Sequence, residues 1–96
     1  RGSLLCLPSG MYGWSVTSLE MAGLQSFDQV AAEADQIEVL LLGTGSEHVF
    51  VPPELREALS QRGIFMEAMS TGAAARTYNV LLAEQRAVAA ALIAVD

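Results

Sequence analysis

Residues 37–42 read IEVLLL, and Gly43, Thr44 and Gly45 follow them directly. A nearly all-apolar run of this length that stops at a glycine is typical of a strand covered on both faces, as in a parallel sheet. We therefore expect residues 37–42 to form a central strand with little solvent exposure.

One helix is predicted before this strand in the sequence and one after it. Upstream, Ser26 and Gln29 fit a capping box, in which the Ser26 hydroxyl caps a backbone N–H and Gln29 reaches back. A short helix should therefore run to about residue 35, because apolar residues recur there at helical spacing. Downstream, Pro53 suits the first position of a helix, and Gly63 follows its end.

The helix that begins at Pro53 has a clear apolar stripe. Leu55, Ala58 and Leu59 recur at helical spacing and should face the sheet. The opposite side of this helix is polar and should face water, at Glu54, Glu57 and Gln61.

Four further strands and one longer helix complete the prediction. The strands are expected at residues 3–7, 12–16, 64–69 and 87–95. The helix is expected at residues 72–86, with Tyr78, Leu81 and Leu82 on its inner side. Residues 87–95 are rich in alanine and could be helical by propensity, but such a helix would have to continue through Arg86 without a break. We therefore expect residues 88–95 to form a second central strand.

Strands and helices alternate along the chain. The order strand, helix, strand, helix, strand is typical of crossover-connected strands with helices packed on a sheet. A length of 96 residues supports a single hydrophobic core. The sequence therefore predicts one α/β domain over residues 1–96, without internal repeats.

Composition and charge exclude some classes of partner. Hydrophobic residues make up 52% of the chain and charged residues 17%, which is ample apolar surface for a folded, soluble domain. The net charge is −6, so an acidic protein of this kind is not expected to bind nucleic acid or an anionic membrane surface. The longest apolar stretch, residues 87–95, is far shorter than the roughly 18 residues that cross a bilayer, so no membrane insertion is expected.

Neither the cysteine nor the histidine points to catalysis or to a metal. Cys6 is the only cysteine and stands among leucines, so a buried, unreactive thiol is favoured over a reactive one. His48 is the only histidine, and the acidic residues lack calcium-loop spacing, so no metal and no cofactor are expected. Ser46, Glu47 and His48 have the composition of a triad, but adjacent residues in one loop rarely reach attack geometry.

Two polar segments could together form a ligand site. If strands 37–42 and 64–69 are parallel, their carboxyl ends lie at one edge of the sheet, where open α/β sheets commonly place ligands. Glycines permit a close approach of backbone to a ligand, and an arginine near a helix N-terminus could clamp a carboxylate or phosphate. The candidate ligand-binding residues are Gly43, Thr44, Gly45, Ser70, Thr71, Gly72, Arg76 and Asn79.

The same residues have structural interpretations that stay open. Gly43 and Gly45 could simply be turn glycines, because His48 stands where a dinucleotide-binding motif would need its third glycine. Arg76 could instead pair with Glu67 or Glu84 on the surface. No catalytic residue is assigned.

Several separate motifs, in order along the chain, carry a family resemblance. They are Gly2-Ser3-Leu4-Leu5, the run from Val39 through Gly45, Pro53-Glu54-Leu55-Arg56, and the run from Gly72 through Asn79. Together they resemble the domain of unknown function 498, over nearly the whole chain. Relatives in that family usually begin with an additional strand-containing segment, so a missing N-terminal piece is expected before Arg1.

The resemblance implies a fold and a broad role. It implies a three-layer α/β fold of the Mth type, with helices flanking a central mixed β-sheet in which one strand is antiparallel to the others. It implies no established enzymatic activity. Because members include the mitochondrial respiratory complex I assembly factor 3 and the adipogenesis-associated Mth-type protein, the preferred hypothesis is a non-catalytic accessory or assembly-type protein with an unknown protein partner.

Two further expectations accompany this role. The location would be cytoplasmic in a bacterium and mitochondrial in a eukaryote. The alternative function is a domain, or an enzyme, that binds a small molecule or anion between the two polar segments.

Overall fold

Five short strands form one mixed sheet in the computed structural model, which describes residues 2–18, 23–46 and 51–95. The strands are β1 (Ser3–Leu7), β2 (Gly10–Trp14), β3 (Val39–Gly43), β4 (Phe65–Met69) and β5 (Val88–Leu92). Their spatial order is β2-β1-β5-β3-β4. β3 runs parallel to β4 and β5, whereas β1 runs antiparallel to β5 and β2. One strand therefore opposes the other four, as expected.

The two apolar runs occupy the interior of the sheet. β3 lies between β5 and β4, and β5 lies between β1 and β3, which confirms both predicted central strands. Leu40 and Leu42 are 0% exposed. The alanine run is a strand rather than a helix because it is hydrogen-bonded on both edges and buried on both faces. Its small side chains let the helices on either side approach the sheet closely.

Helices cover the sheet on both faces, which makes three layers. They are α1 (Asp28–Ala32), α2 (Pro53–Ser60) and α3 (Thr71–Ala83), with 3-10 turns at Leu24–Phe27 and Ala34–Gln36. α1 and α2 share one apolar cluster with the sheet, through side chains such as Val30, Leu59 and Leu40. α3 packs on the opposite face, where Ala74 and Tyr78 join a second cluster.

The predicted orientation of α2 is confirmed. Leu55 and Leu59 are 6% and 3% exposed, and Ala58 is partly buried. The three polar residues predicted to face water are all exposed, at Glu54, Glu57 and Gln61. Proline occupies the first turn of α2, where its missing N–H costs no hydrogen bond.

The predicted capping box at Ser26 is wrong. The segment begins with a 3-10 turn, and the Ser26 hydroxyl accepts a hydrogen bond from the Gly23 backbone N–H at 3.2 Å. Phe27 stands at the N-cap position of α1, with no side-chain cap. The Phe27 ring is 2% exposed and meets Trp14 edge to face, with ring centroids 5.4 Å apart. Core packing of this ring, rather than a polar cap, therefore sets the start of α1.

Several predicted boundaries and one predicted orientation differ from the structure. β3 begins at Val39 rather than at residue 37, and α1 ends at Ala32, where a 3-10 turn follows. β5 ends at Leu92 rather than at residue 95, and Val95 is 37% exposed. β2 begins and ends two residues earlier than expected. α3 ends at Ala83 rather than at Arg86, because Gln85 adopts a left-handed φ of 63° and the Arg86 N–H bonds back to the Leu81 carbonyl at 3.0 Å. Leu82 is 50% exposed and does not face inward, since Tyr78 and Ala74 define the buried side of α3.

Candidate functional site

The two predicted polar segments meet at the carboxyl edge of the sheet. β3 and β4 are parallel and in register, with Gly43 beside Met69, so the residues that follow each strand are neighbours. The Thr44 N–H donates to the Met69 carbonyl at 2.8 Å. The convergence expected from the sequence is therefore present.

Thr71 is the centre of this junction. Its hydroxyl accepts a hydrogen bond from the Gly45 N–H at 2.9 Å and donates one to the Ile93 carbonyl at 2.6 Å. Its own N–H donates to the Gly45 carbonyl at 2.8 Å. One threonine therefore ties the start of α3 to the loop after β3 and to the residue after β5.

Gly43 is required by the close approach of α3 to the sheet. A Cβ atom added at Gly43 would lie 2.9 Å from both the Thr71 Cα and the Thr71 hydroxyl oxygen, and 3.1 Å from the Leu92 Cδ2. The first of these contacts is with backbone, which cannot rotate away. The absence of a side chain at Gly43 therefore lets α3 begin where it does.

The helix start is already capped from within the chain. The Ser70 hydroxyl accepts the Ala73 N–H at 3.3 Å, and the Ser70 carbonyl accepts the Ala74 N–H at 2.8 Å. With the Thr44, Gly45 and Thr71 amides also bonded, most donors that an anion would use have a partner in the chain. The backbone of Gly72 is exposed beside them.

Arg76 and Asn79 are exposed on α3 and lie outside the hydrogen-bonded junction. Arg76 extends back along the helix, since its Nη1 would lie 3.7 Å from a Cβ atom on Gly72. It makes no ion pair with Glu67 or Glu84. Within residues 2–18, 23–46 and 51–95, the ion pair that forms joins Arg86 to Glu38 at 3.8 Å. Asn79 is exposed on α3, about two helical turns beyond Gly72.

The remaining candidates do not assemble into a catalytic group in the described part of the chain. Cys6 is 3% exposed, which confirms that it is buried, and burial raises the pKa of its thiol. Burial and the neighbouring Cys6 also raise the pKa of Tyr78. Ser46 is exposed, whereas Glu47 and His48 lie outside the described residues. Among the residues described, no three acidic, histidine or cysteine side chains group as metal ligands, and no helix is long and apolar enough to cross a bilayer.

Sequence reasoning missed an exposed apolar surface on the α3 side of the sheet. Met11 is 67% exposed, although it stands in a strand and pairs with the buried Cys6. Leu4 and Leu82 are 41% and 50% exposed. Strand and helix periodicity predict which face an apolar side chain lies on, but they do not predict which faces are left uncovered by other helices or strands.

Comparisons with known proteins give a family match and several relatives. The family model described as protein of unknown function (DUF498/DUF598) matches residues 1–93. An uncharacterized protein of Rhodobacter capsulatus is 38% identical over 93 residues, which cover 97% of this chain and 69% of that protein. The NADH dehydrogenase (ubiquinone) 1 alpha subcomplex assembly factor 3 of Danio rerio is 38% identical over 92 residues, which cover 96% of this chain and 53% of that protein. The chain thus spans about half the length of this assembly factor.

Solved structures agree with the architecture. A crystal structure described as an outer membrane protein from Bartonella henselae has a TM-score of 0.94 and 53% identity, and the alignment covers 100% of this chain and 80% of that one. The solution structure of a Mth938-like domain from Bordetella pertussis has a TM-score of 0.82 and 31% identity, with 96% of this chain and 73% of that one covered. The three-layer Mth-type fold expected from the resemblance is confirmed.

Proposed function

This chain belongs to the DUF498/DUF598 family of proteins of unknown function, and we propose that it is a non-catalytic accessory protein that acts through contacts with other proteins. The animal relatives named as assembly factors of NADH dehydrogenase support an assembly-type role. Such a role would place the protein in the cytoplasm of a bacterium or in the mitochondrion of a eukaryote.

The observation that carries the proposal is the one-sided exposure of large apolar side chains. The most exposed of them among the described residues are Leu4, Met11, Phe65, Val80, Leu82 and Val95. Val80 and Leu82 lie on α3 itself. Leu4, Met11 and Phe65 lie on the sheet face that α3 packs against. Met11 pairs with Cys6 and Phe65 with Val39, and both partners belong to the apolar cluster under α3. Leu4 precedes Leu5, which belongs to the cluster on the opposite face. Exposed apolar side chains collected on one side of a protein mark an interaction surface.

Site-directed photo-crosslinking in the native host tests this function. A benzophenone amino acid placed at Met11 or at Val80 should form adducts with one and the same other protein, identified by mass spectrometry. The matched control position is Gln61, which is exposed on α2 on the opposite face. Adducts that form equally from Gln61, or from neither α3-side position, would remove the support for a docking function.

A second candidate function is the binding of a small molecule or anion by the junction of Gly43, Thr44 and Gly45 with Ser70, Thr71 and Gly72. The observation that favours it is the convergence of these segments at the carboxyl edge of the sheet. Arg76 is an exposed cation on α3, the helix that begins at this junction. In this function Arg76 would clamp the ligand, and Asn79 would extend the polar surface.

A titration with phosphate, sulfate and small carboxylates, followed by amide chemical shifts, separates the two functions. Because the Gly45 and Thr71 amides already have partners in the chain, we expect millimolar anion to leave the junction amides unshifted. Saturable shifts confined to the junction, weakened by Arg76→Ala but not by Arg62→Ala, would instead favour ligand binding. Arg62 is a suitable control because it is exposed after α2, on the other face.

A further inference from the structure

The α3 side of the sheet has an uncovered strip beside α3. It consists of the exposed residues Leu4, Met11 and Gly13 on β1 and β2, and we call it the open half-face. We infer that the open half-face receives one amphipathic α-helix of another protein, which turns its apolar side to Leu4 and Met11 and places a carboxylate against Arg76. This inference rests on the proposed function and specifies the chemistry of the partner.

The width of the open half-face fits a single helix. α3 packs on β3 and β5 and touches β4, so among the described elements it leaves most of β1 and β2 uncovered on this side. Neighbouring strands lie about 4.8 Å apart, so two strands span about 10 Å, which is the diameter of one helix with its side chains. Among the residues that the structure describes, α1 and α2 cover the opposite face, whereas α3 alone packs on this one.

One flank of α3 forms a wall beside the open half-face. The Thr77 hydroxyl contacts the Met69 sulfur at 3.7 Å, so the Thr77 flank of α3 faces β4. Ala75, Asn79 and Leu82 lie on the other flank at helical spacing and therefore border β1. This wall carries no charge and includes the half-exposed Leu82. A helix lying in the strip would contact apolar or uncharged side chains both below and beside it.

A groove deepens the end of the strip near the start of α3. It has a volume of about 400 Å³ and is lined by Gly2, Leu4, Thr71, Leu92 and Val95 among others. The lining side chains are apolar apart from Thr71, whose hydroxyl is already bonded on both sides. A large apolar side chain from the partner helix can enter this open groove.

Arg76 supplies the charge complementarity. Its guanidinium lies over Gly72, the residue that follows the groove-lining Thr71, and it has no acidic partner among the described residues. A carboxylate from an incoming helix would give this cation a partner with charge-assisted hydrogen bonds. A second copy of this chain is a poorer occupant, because two molecules of net charge −6 repel each other.

The strip is held in place from behind, so a partner would meet a preformed surface. The Ser9 N–H donates to the Glu33 carboxylate at 3.1 Å, which ties the β1–β2 turn to the residue after α1. The Trp14 indole N–H donates to the Ser26 carbonyl at 2.9 Å. A rigid surface loses little entropy on binding, which favours its use as a docking site.

The test uses a display library of peptides about 18 residues long, or about 27 Å as a helix, with one face randomised on an alanine and glutamine framework. The library is selected on the intact chain, and the best peptide is synthesised and measured by fluorescence anisotropy. We expect Met11→Glu to weaken its binding about tenfold or more, and Arg76→Gln about fivefold. The control is Ala32→Glu, since Ala32 is exposed on α1 on the opposite face of the sheet, and it should leave the affinity unchanged.

A charge swap adds specificity to the test. Arg76→Glu should abolish binding of a peptide that carries the selected glutamate, and a peptide with arginine in its place should restore it. Since Met11 and Arg76 are exposed, thermal unfolding of each variant should match the native chain. The inference is overturned if the selected peptides bind elsewhere, if they bind as extended strands, or if the chain alone sediments as a dimer that Met11→Glu dissociates. Crosslinks from Met11 to another protein would still support the proposed function in the first two cases.

Discussion

Replacing Leu59 by alanine should lower the free energy of unfolding by roughly 2–5 kcal/mol. Leu59 is 3% exposed and belongs to the apolar cluster that α1 and α2 form with the sheet. The truncated side chain would leave a cavity between α2 and β4, because a helix seated on a close-packed sheet cannot collapse into the space. Urea unfolding followed by circular dichroism measures the change.

The matched control for Leu59→Ala is Leu82→Ala, which removes the same atoms from a helix at a position that is 50% exposed. Its effect should stay within about 1 kcal/mol, because little apolar surface is uncovered there. Equal losses for the two variants would contradict the burial of α2 against the sheet. A smaller loss for Leu59→Ala than for Leu82→Ala would reverse the assigned faces altogether.

Replacing Gly43 by alanine should lower the free energy of unfolding by about 2–3 kcal/mol, because overpacking a close contact forces the backbone to shift. The new Cβ atom would lie 2.9 Å from the Thr71 Cα, so the start of α3 would have to move away from β3. That movement would strain the hydrogen bonds of the Thr71 hydroxyl to the Gly45 N–H and the Ile93 carbonyl. The expected result is a lower urea midpoint, together with amide shift changes at both loops.

Gly13→Ala is the control for Gly43→Ala. Gly13 is also in a strand, but a Cβ atom added there would meet nothing within 4 Å. Its effect should be within about 0.5 kcal/mol. If the two alanine variants were equally stable, α3 would not be seated as closely on β3 as the structure places it.

The junction at the carboxyl edge therefore has a structural role that competes with ligand binding. The amides of Thr44, Gly45 and Thr71 hold α3 and the loop after β3 together. An anion at this position would have to displace hydrogen bonds that already exist. The α3 side offers a surface that needs no such rearrangement, which is why docking is the function we prefer.

The amino-acid sequence alone determined the elements and most of the layout. The apolar runs at residues 37–42 and 88–95 predicted the two interior strands, because continuous apolar runs of this length are typical of strands buried on both faces. Pro53, the stripe at Leu55 and Leu59, and Gly63 located α2 and its buried side, since helix signals act within a few residues. The alternation of strands and helices predicted crossover connections, and in the structure β3 is parallel to β4 and to β5.

Tertiary structure decided the hydrogen bonds of the candidate site and the exposure of apolar side chains. Gly45 and Thr71 are 26 residues apart in the sequence, and their hydrogen bonds to each other could not be predicted from it. Leu82 was predicted to face inward, but it is 50% exposed, because no helix of the described segments covers β1 and β2 beside α3. The sequence shows which side chains are apolar and which groups can donate hydrogen bonds. Only the packing of distant segments decides which surfaces are covered and which donors are already bonded.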